Sequence, residues 1–126
     1  MQSFLNLIDL ETGRQIRLAE FGFTASEPSF CEDSIIFTRD STLWSFDISS
    51  GMIKRVNISS IPTYAADHEI SISFISDKSN EIGHCELVVD RKVIARFMGS
   101  EKSLGVCPEK DGKVVFIGYP SEDGIS

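Results

Sequence analysis

The stretch Leu43-Trp44-Ser45-Phe46-Asp47-Ile48-Ser49-Ser50-Gly51 repeats the pattern of an earlier one, Leu5-Asn6-Leu7-Ile8-Asp9-Leu10-Glu11-Thr12-Gly13. Each copy is a short apolar strand, an Asp near its end, a turn closed by Gly, and a return that ends in Arg17-Leu18 or Arg55-Val56. The spacing has a physical reason. An Asp at the strand end accepts hydrogen bonds from the amides of the turn that follows, and glycine supplies the positive φ that closes it.

Outward from these copies the same grammar continues. Segments rich in Ile, Val, Phe and Leu, bounded by Gly, Asp, Ser, Asn and Pro, predict strands. They span Phe4–Leu10, Gln15–Leu18, Ser34–Arg39, Thr42–Ile48, Met52–Ile58, Ile70–Ser76, His84–Asp90, Lys92–Met98, Leu104–Cys107 and Lys113–Tyr119. Phe21–Ser29 and Ser59–Asp67 are the longest stretches without strand character, and Ile61-Pro62 argues against a helix in the second. Asp40-Ser41 and Asp90-Arg91 read as tight hairpins. The chain is therefore all-β and antiparallel, in one domain of 126 residues.

Residues 28–58 resemble one four-stranded blade of a β-propeller of the TolB-like or WD type. Residues 4–18 match the last two strands of such a blade, and residues 103–119 the first two. The resemblance implies that the C-terminal and N-terminal halves close one sheet. Propellers have about 4–8 blades, and strands for about three are present here. The implied architecture is an open array of blade-like sheets or part of a ring completed by another copy, with a β-sandwich as the alternative.

Composition narrows the function. Twelve Lys and Arg against 19 Asp and Glu give a net charge of −7. There is no basic block to neutralise phosphates, which argues against nucleic acid and against an anionic membrane surface as partners. A complementary basic protein is the attractive partner. Cys31, Cys85 and Cys107 show no CxxC spacing and read as reduced thiols, as in a cytoplasm.

No catalytic motif stands out. There is no Gly-rich phosphate cradle, nucleophile elbow or His-Glu-x-x-His. In Asp67-His68-Glu69 the carboxylates share a face that the imidazole does not, so no metal site is expected there. His84 and Cys85 are adjacent on a strand and point to opposite faces, which works against a thiol–imidazole pair. Trp44 and Phe46 share a face and are expected to pack between sheets. The sequence predicts neither an enzyme nor a bound cofactor.

If the blades assemble as the resemblance implies, loops entering their first strands and hairpins between second and third strands gather on one rim. That rim would collect Glu20, Glu27, Asp40, Tyr64, Asp67, Glu69, Glu122 and Asp123. Asp40, Tyr64, Asp67, Glu69, Glu122 and Asp123 are the expected partner-binding residues. Size, acidity and the lack of a catalytic motif are similar to those of bacterial immunity proteins, which neutralise a cognate toxin. The resemblance implies binding of a basic toxin domain, such as a nuclease of the contact-dependent inhibition class, by acidic loops that cover its active site. The alternative is a scaffold that self-assembles or docks in a larger complex.

Overall fold

The computed structural model describes residues 2–75 and 83–120. In chain order the strands are β1 (Ser3–Asp9), β2 (Gln15–Phe21), β3 (Ser26–Cys31), β4 (Ser34–Arg39), β5 (Thr42–Asp47), β6 (Ile53–Arg55), β7 (Ile70–Ile75), β8 (Gly83–Val89), β9 (Lys92–Gly99), β10 (Glu109–Lys110) and β11 (Lys113–Gly118). They form three antiparallel sheets: A, in the order β10-β11-β1-β2; B, β3-β4-β5-β6; and C, β7-β8-β9. No helix occurs among the described residues.

The two ends of the chain close sheet A, as the blade resemblance implies. β1 pairs with β11 from Phe4↔Gly118 to Asp9↔Lys113. Sheets A and B also share details of their hydrogen bonding. Ile48 donates to the Asp33 carbonyl just before β4, and Leu10 donates to the Gly112 carbonyl just before β11. The repeated turns behave alike too. Asp9 Oδ1 accepts from the Glu11 and Thr12 amides at 2.9 and 3.4 Å, and Asp47 Oδ1 from those of Ser49 and Ser50 at 2.9 and 3.0 Å. Gly13 and Gly51 then close the turns at φ +76° and +75°. The Ser49 hydroxyl, followed by the Ser50 amide, holds the Asp47 carboxyl below its usual value.

Sheet A is the middle layer, which explains the unbroken apolar runs of β1 and β11. A strand covered on both faces has no solvent side on which to place polar residues. Leu5, Leu7, Val115 and Ile117 face sheet B, in a cluster with Phe30, Ile35, Phe37 and Phe46. Ile8, Val114 and Phe116 face sheet C, in a second cluster with Leu87 and Val89. Burial of each such side chain contributes about 1.5–3 kcal/mol. Trp44 and Phe46 both lie on the face of sheet B that meets sheet A, as their alternation predicts. The outer face of sheet C is open, with Ser71, Ser73, Ile75 and His84 exposed.

Several strands differ from the sequence reading; β2 runs on to Phe21, and β10 is an additional strand. Ser26–Cys31 forms β3, although Phe21–Ser29 reads as non-strand; Pro28 is tolerated because β3 is an edge strand, and the register shifts between Ser26 and Ser29. Leu104–Cys107 is not a strand. This segment and the preceding Ser103 divide their bonds between β3 and β11 instead of forming a ladder: Val106 N–H donates to Ser29 Oγ, and Ile117 N–H donates to the Ser103 carbonyl. The expected strand Met52–Ile58 contracts to Ile53–Arg55, continued only by the Val56 amide bonding the Leu43 carbonyl. The hairpins Asp40-Ser41 and Asp90-Arg91 form as expected, with positive φ at both central residues of each.

Candidate functional site

The strands present two ends. At the turn end lie the Asp9 and Asp47 turns together with Glu32-Asp33, Asp90-Arg91 and Asp111-Gly112. The Asp40-Ser41 hairpin and the loop from Gly22 to Ala25 lie at the far end. Ser3 and Tyr119 pin that loop: Ser3 Oγ donates to the Phe23 carbonyl at 2.7 Å, and the Tyr119 hydroxyl donates to the Ala25 carbonyl at 2.7 Å.

An open cleft of about 460 Å³ enters the interface of sheets A and B at the turn end. Its walls are Leu7, Ile16 and Leu18 from sheet A and Phe30 and Ile48 from sheet B. Glu32, Asp33, Ser49, Lys110, Asp111 and Lys113 surround the mouth. Ile16 and Ile48 remain 40% and 39% exposed, so the apolar wall reaches the surface. Lys110 is engaged within the protein. Its Nζ donates to the Glu32 carbonyl at 2.9 Å, lies 3.8 Å from the Asp111 carboxylate and sits over the Tyr64 ring. The Glu32 amide donates to the Tyr64 hydroxyl at 2.8 Å, which fixes Tyr64 beside the mouth.

Next to this wall is a buried carboxylate. Glu109 is 2% exposed and receives the His68 N–H at 3.1 Å on one oxygen, with His68 Nδ1 at 2.9 Å from the other. The pair joins β10 of sheet A to the segment that enters β7 of sheet C. Glu69 and Asp90 complete the junction: the Glu69 amide donates to Asp90 Oδ1, and the Asp90 amide to the Glu69 carbonyl, both at 2.9 Å.

The bond to Glu109 raises the His68 pKa above its ordinary value of 6.5; desolvation opposes this, while the charges of Glu109, Asp90 and Asp67 add to it. A folded value above the unfolded one means that the pair's contribution to stability is complete below pH 6.5. It is lost as pH rises through the folded value. The melting-temperature advantage of the wild-type chain over His68→Gln is therefore expected to be largest near pH 6 and to shrink toward pH 9. Melting curves for both chains across that range, with an NMR titration of the imidazole inflecting above 6.5, check it.

Of the residues expected to bind a partner, Tyr64, Asp67 and Glu69 come together at the turn end, with Asp67 and Glu69 exposed. Asp40 does not join them. It lies beyond the other end of β4, a six-residue strand of roughly 20 Å. Glu122 and Asp123 lie outside the described residues. The rim divides because of sheet C. β9 runs in the same direction as β11, as the Tyr119 amide bonded to the Met98 carbonyl and Phe97 packed on Phe116 require. β7 is therefore oriented like the second strand of sheets A and B, and the segment entering it emerges at the turn end. Sequence reasoning missed Ile16, Ile48, Glu32, Asp33 and Asp111 as site residues, although Ile48 stands in the repeated Asp47–Gly51 turn.

Neither buried thiol is an activated nucleophile. Burial pushes the Cys85 thiol up to about 11 and raises Cys107 as well. His84 is exposed while Cys85 is buried, on opposite faces of β8 as expected. Among the described residues no group of three or more His, Cys, Asp or Glu is placed to hold a metal ion, and no helix is long and apolar enough to cross a membrane. No protein-family model matches this chain, and comparison with curated proteins and with solved structures gives no match either.

Proposed function

We propose that this chain is a protein-binding domain of the immunity type, which neutralises a basic toxin domain such as a nuclease by docking its turn end over the toxin's active site. The observation that carries the reading is the cleft between sheets A and B, an apolar opening at the turn end with Glu32, Asp33 and Asp111 at its mouth. Its exposed Ile16 and Ile48 offer area for an apolar anchor of the partner. Glu32, Asp33, Asp67, Glu69 and Asp111 around and beside it steer a cationic surface into place. The three free thiols suit a reducing, cytoplasmic setting.

The test is capture from the native host with tagged protein at low and high salt, followed by co-expression of whatever is retained. A single basic protein whose toxicity the chain suppresses is the expected result. Asp33→Lys with Asp67→Lys should weaken binding about tenfold and flatten its salt dependence, and Ile48→Asp should weaken it at any salt. Full suppression of toxicity by the charge-reversed and Ile48→Asp chains would count against the turn end as the docking surface.

A second reading, a scaffold that self-assembles, draws on the open face of sheet C, where Ile75 and Val93 are 57% and 42% exposed. A native mass at a symmetric multiple of the chain, with nothing else captured, would favour it.

A further inference from the structure

At the far end of sheet B, away from the cleft, two arginines flank the chain's single tryptophan. Arg39, the last residue of β4, lies over the Phe23 ring with its Cζ 3.9 Å from the centroid and 5.4 Å from that of Trp44. Arg55 of β6 is the cross-strand neighbour of Trp44. It therefore stands on the same face of the sheet.

Stacking on a ring occupies the flat faces of a guanidinium and leaves its edge, which carries the N–H donors, directed outward. Among the described residues neither Arg39 nor Arg55 has a hydrogen-bond or ion-pair partner. Arg17 pairs with Glu20 and Arg96 with Glu86, whereas Arg14 and Arg91, like Arg39 and Arg55, form no side-chain ion pair among the described residues. Even Asp40, next to Arg39 in the sequence, turns away on an exposed hairpin and forms no ion pair with it. Arg39 against the indole and Arg55 opposite it in register place two positive charges on one face of the sheet, with no ion-pair partner among the described residues.

We propose that Arg39, Arg55, Phe23 and Trp44 form a binding site for an organic carboxylate. The guanidinium edge of Arg39, held flat on Phe23, takes the carboxylate in a two-point bond, Arg55 adds a second positive charge, and the ligand's apolar body rests against Trp44. The match of a planar fork to a carboxylate favours that group. The overall charge of −7 works against a doubly charged phosphate, and the adjacent indole favours a ligand with an apolar body. The site is separate from the cleft and does not depend on the immunity reading.

Trp44 is the only tryptophan, so its emission reports on the site directly. The chain is titrated with hexanoate, with hexanol as the same body without charge, and with inorganic phosphate as charge without body. Saturable quenching or shift by hexanoate is expected, at least about tenfold weaker for the other two probes and at least about tenfold weaker in Arg39→Gln, the loss of a charge-assisted bond. Arg39→Lys keeps the charge but loses the fork, and should fall between. A melting curve confirms that each variant is folded, and Arg55→Gln provides a second route if Arg39→Gln is not. No saturable change with hexanoate, equal binding of hexanol or phosphate, or binding unchanged in folded Arg39→Gln or Arg55→Gln would overturn the proposal.

Discussion

Phe116→Ala is expected to lower the stability of this protein by about 3–5 kcal/mol, the range for truncating a fully buried phenylalanine. Phe116 has no exposed surface and packs on Phe97 across the interface of sheets A and C, with ring centroids 4.4 Å apart and planes tilted by 38°. Its neighbours Leu87, Val89, Ile8 and Val114 belong to rigid strands that cannot collapse into the space, so the cavity term adds to the lost transfer energy. Against a typical total of about 5–15 kcal/mol the change removes a large share.

The effect should also be local. Sheet C is joined to the rest by this cluster, by the His68–Glu109 pair and by the Tyr119 amide on the Met98 carbonyl. Hydrogen exchange is therefore expected to accelerate more in β7–β9 than in β3–β5, where Trp44 fluorescence follows the A–B core independently. Urea titration gives the total loss. A uniform acceleration in all three sheets, or a loss below about 1 kcal/mol, the centre of the range for point mutations in general, would show that sheet A does not mediate the link in this way.

The parts of the fold that were legible are those fixed by local chemistry. Asp9, Asp47 and their glycines set two turns through bonds within five residues, and such bonds leave a sequence pattern. The closing of sheet A by the two chain ends could be inferred because each half carries half of that pattern. What could not be read was geometry set by distant packing. β3 holds a proline and relies on its place at the edge of a sheet. Residues 103–107 look like a strand but are recruited by two sheets at once.

The candidate site was half legible for the same reason. Tyr64, Asp67 and Glu69 lie together at the turn end, being close in sequence. Asp40 was assigned to the same rim on the assumption that every sheet begins with its first strand, and sheet C, with three strands, does not. The His68–Glu109 pair was invisible because its members are far apart in sequence and Glu109 looks like one more surface carboxylate among 19 acidic residues.

The segment that the sequence misreads is also where a single methyl group should do most harm. Residues 100–107 leave sheet C and pass between the other two sheets. The Glu27 amide donates to the Lys102 carbonyl, the Ile117 amide to the Ser103 carbonyl, and the Val106 amide to Ser29 Oγ. To make bonds in both directions the backbone comes into close contact with β3 at Gly105. A Cβ there would overlap the Pro28 carbonyl and crowd Ser29 Oγ. Pro28 is itself fully buried, so neither side can yield without breaking those bonds.

Gly105→Ala is therefore expected to cost about 3 kcal/mol, at the upper end for overpacking, and to disturb all three sheets because the segment touches each. Gly13→Ala provides the contrast. Gly13 has φ +76° but nothing within 4 Å of the added carbon, so only backbone strain opposes it, at about 1 kcal/mol. If space and not backbone conformation is what Gly105 supplies, the Ala variant should melt well below Gly13→Ala. Ser29→Gly should not rescue it, because the closest overlap is with the Pro28 carbonyl and the Ser29 hydroxyl is the acceptor for the Val106 amide. Equal melting temperatures for the two glycine variants would mean that the segment can move away from β3 at little cost.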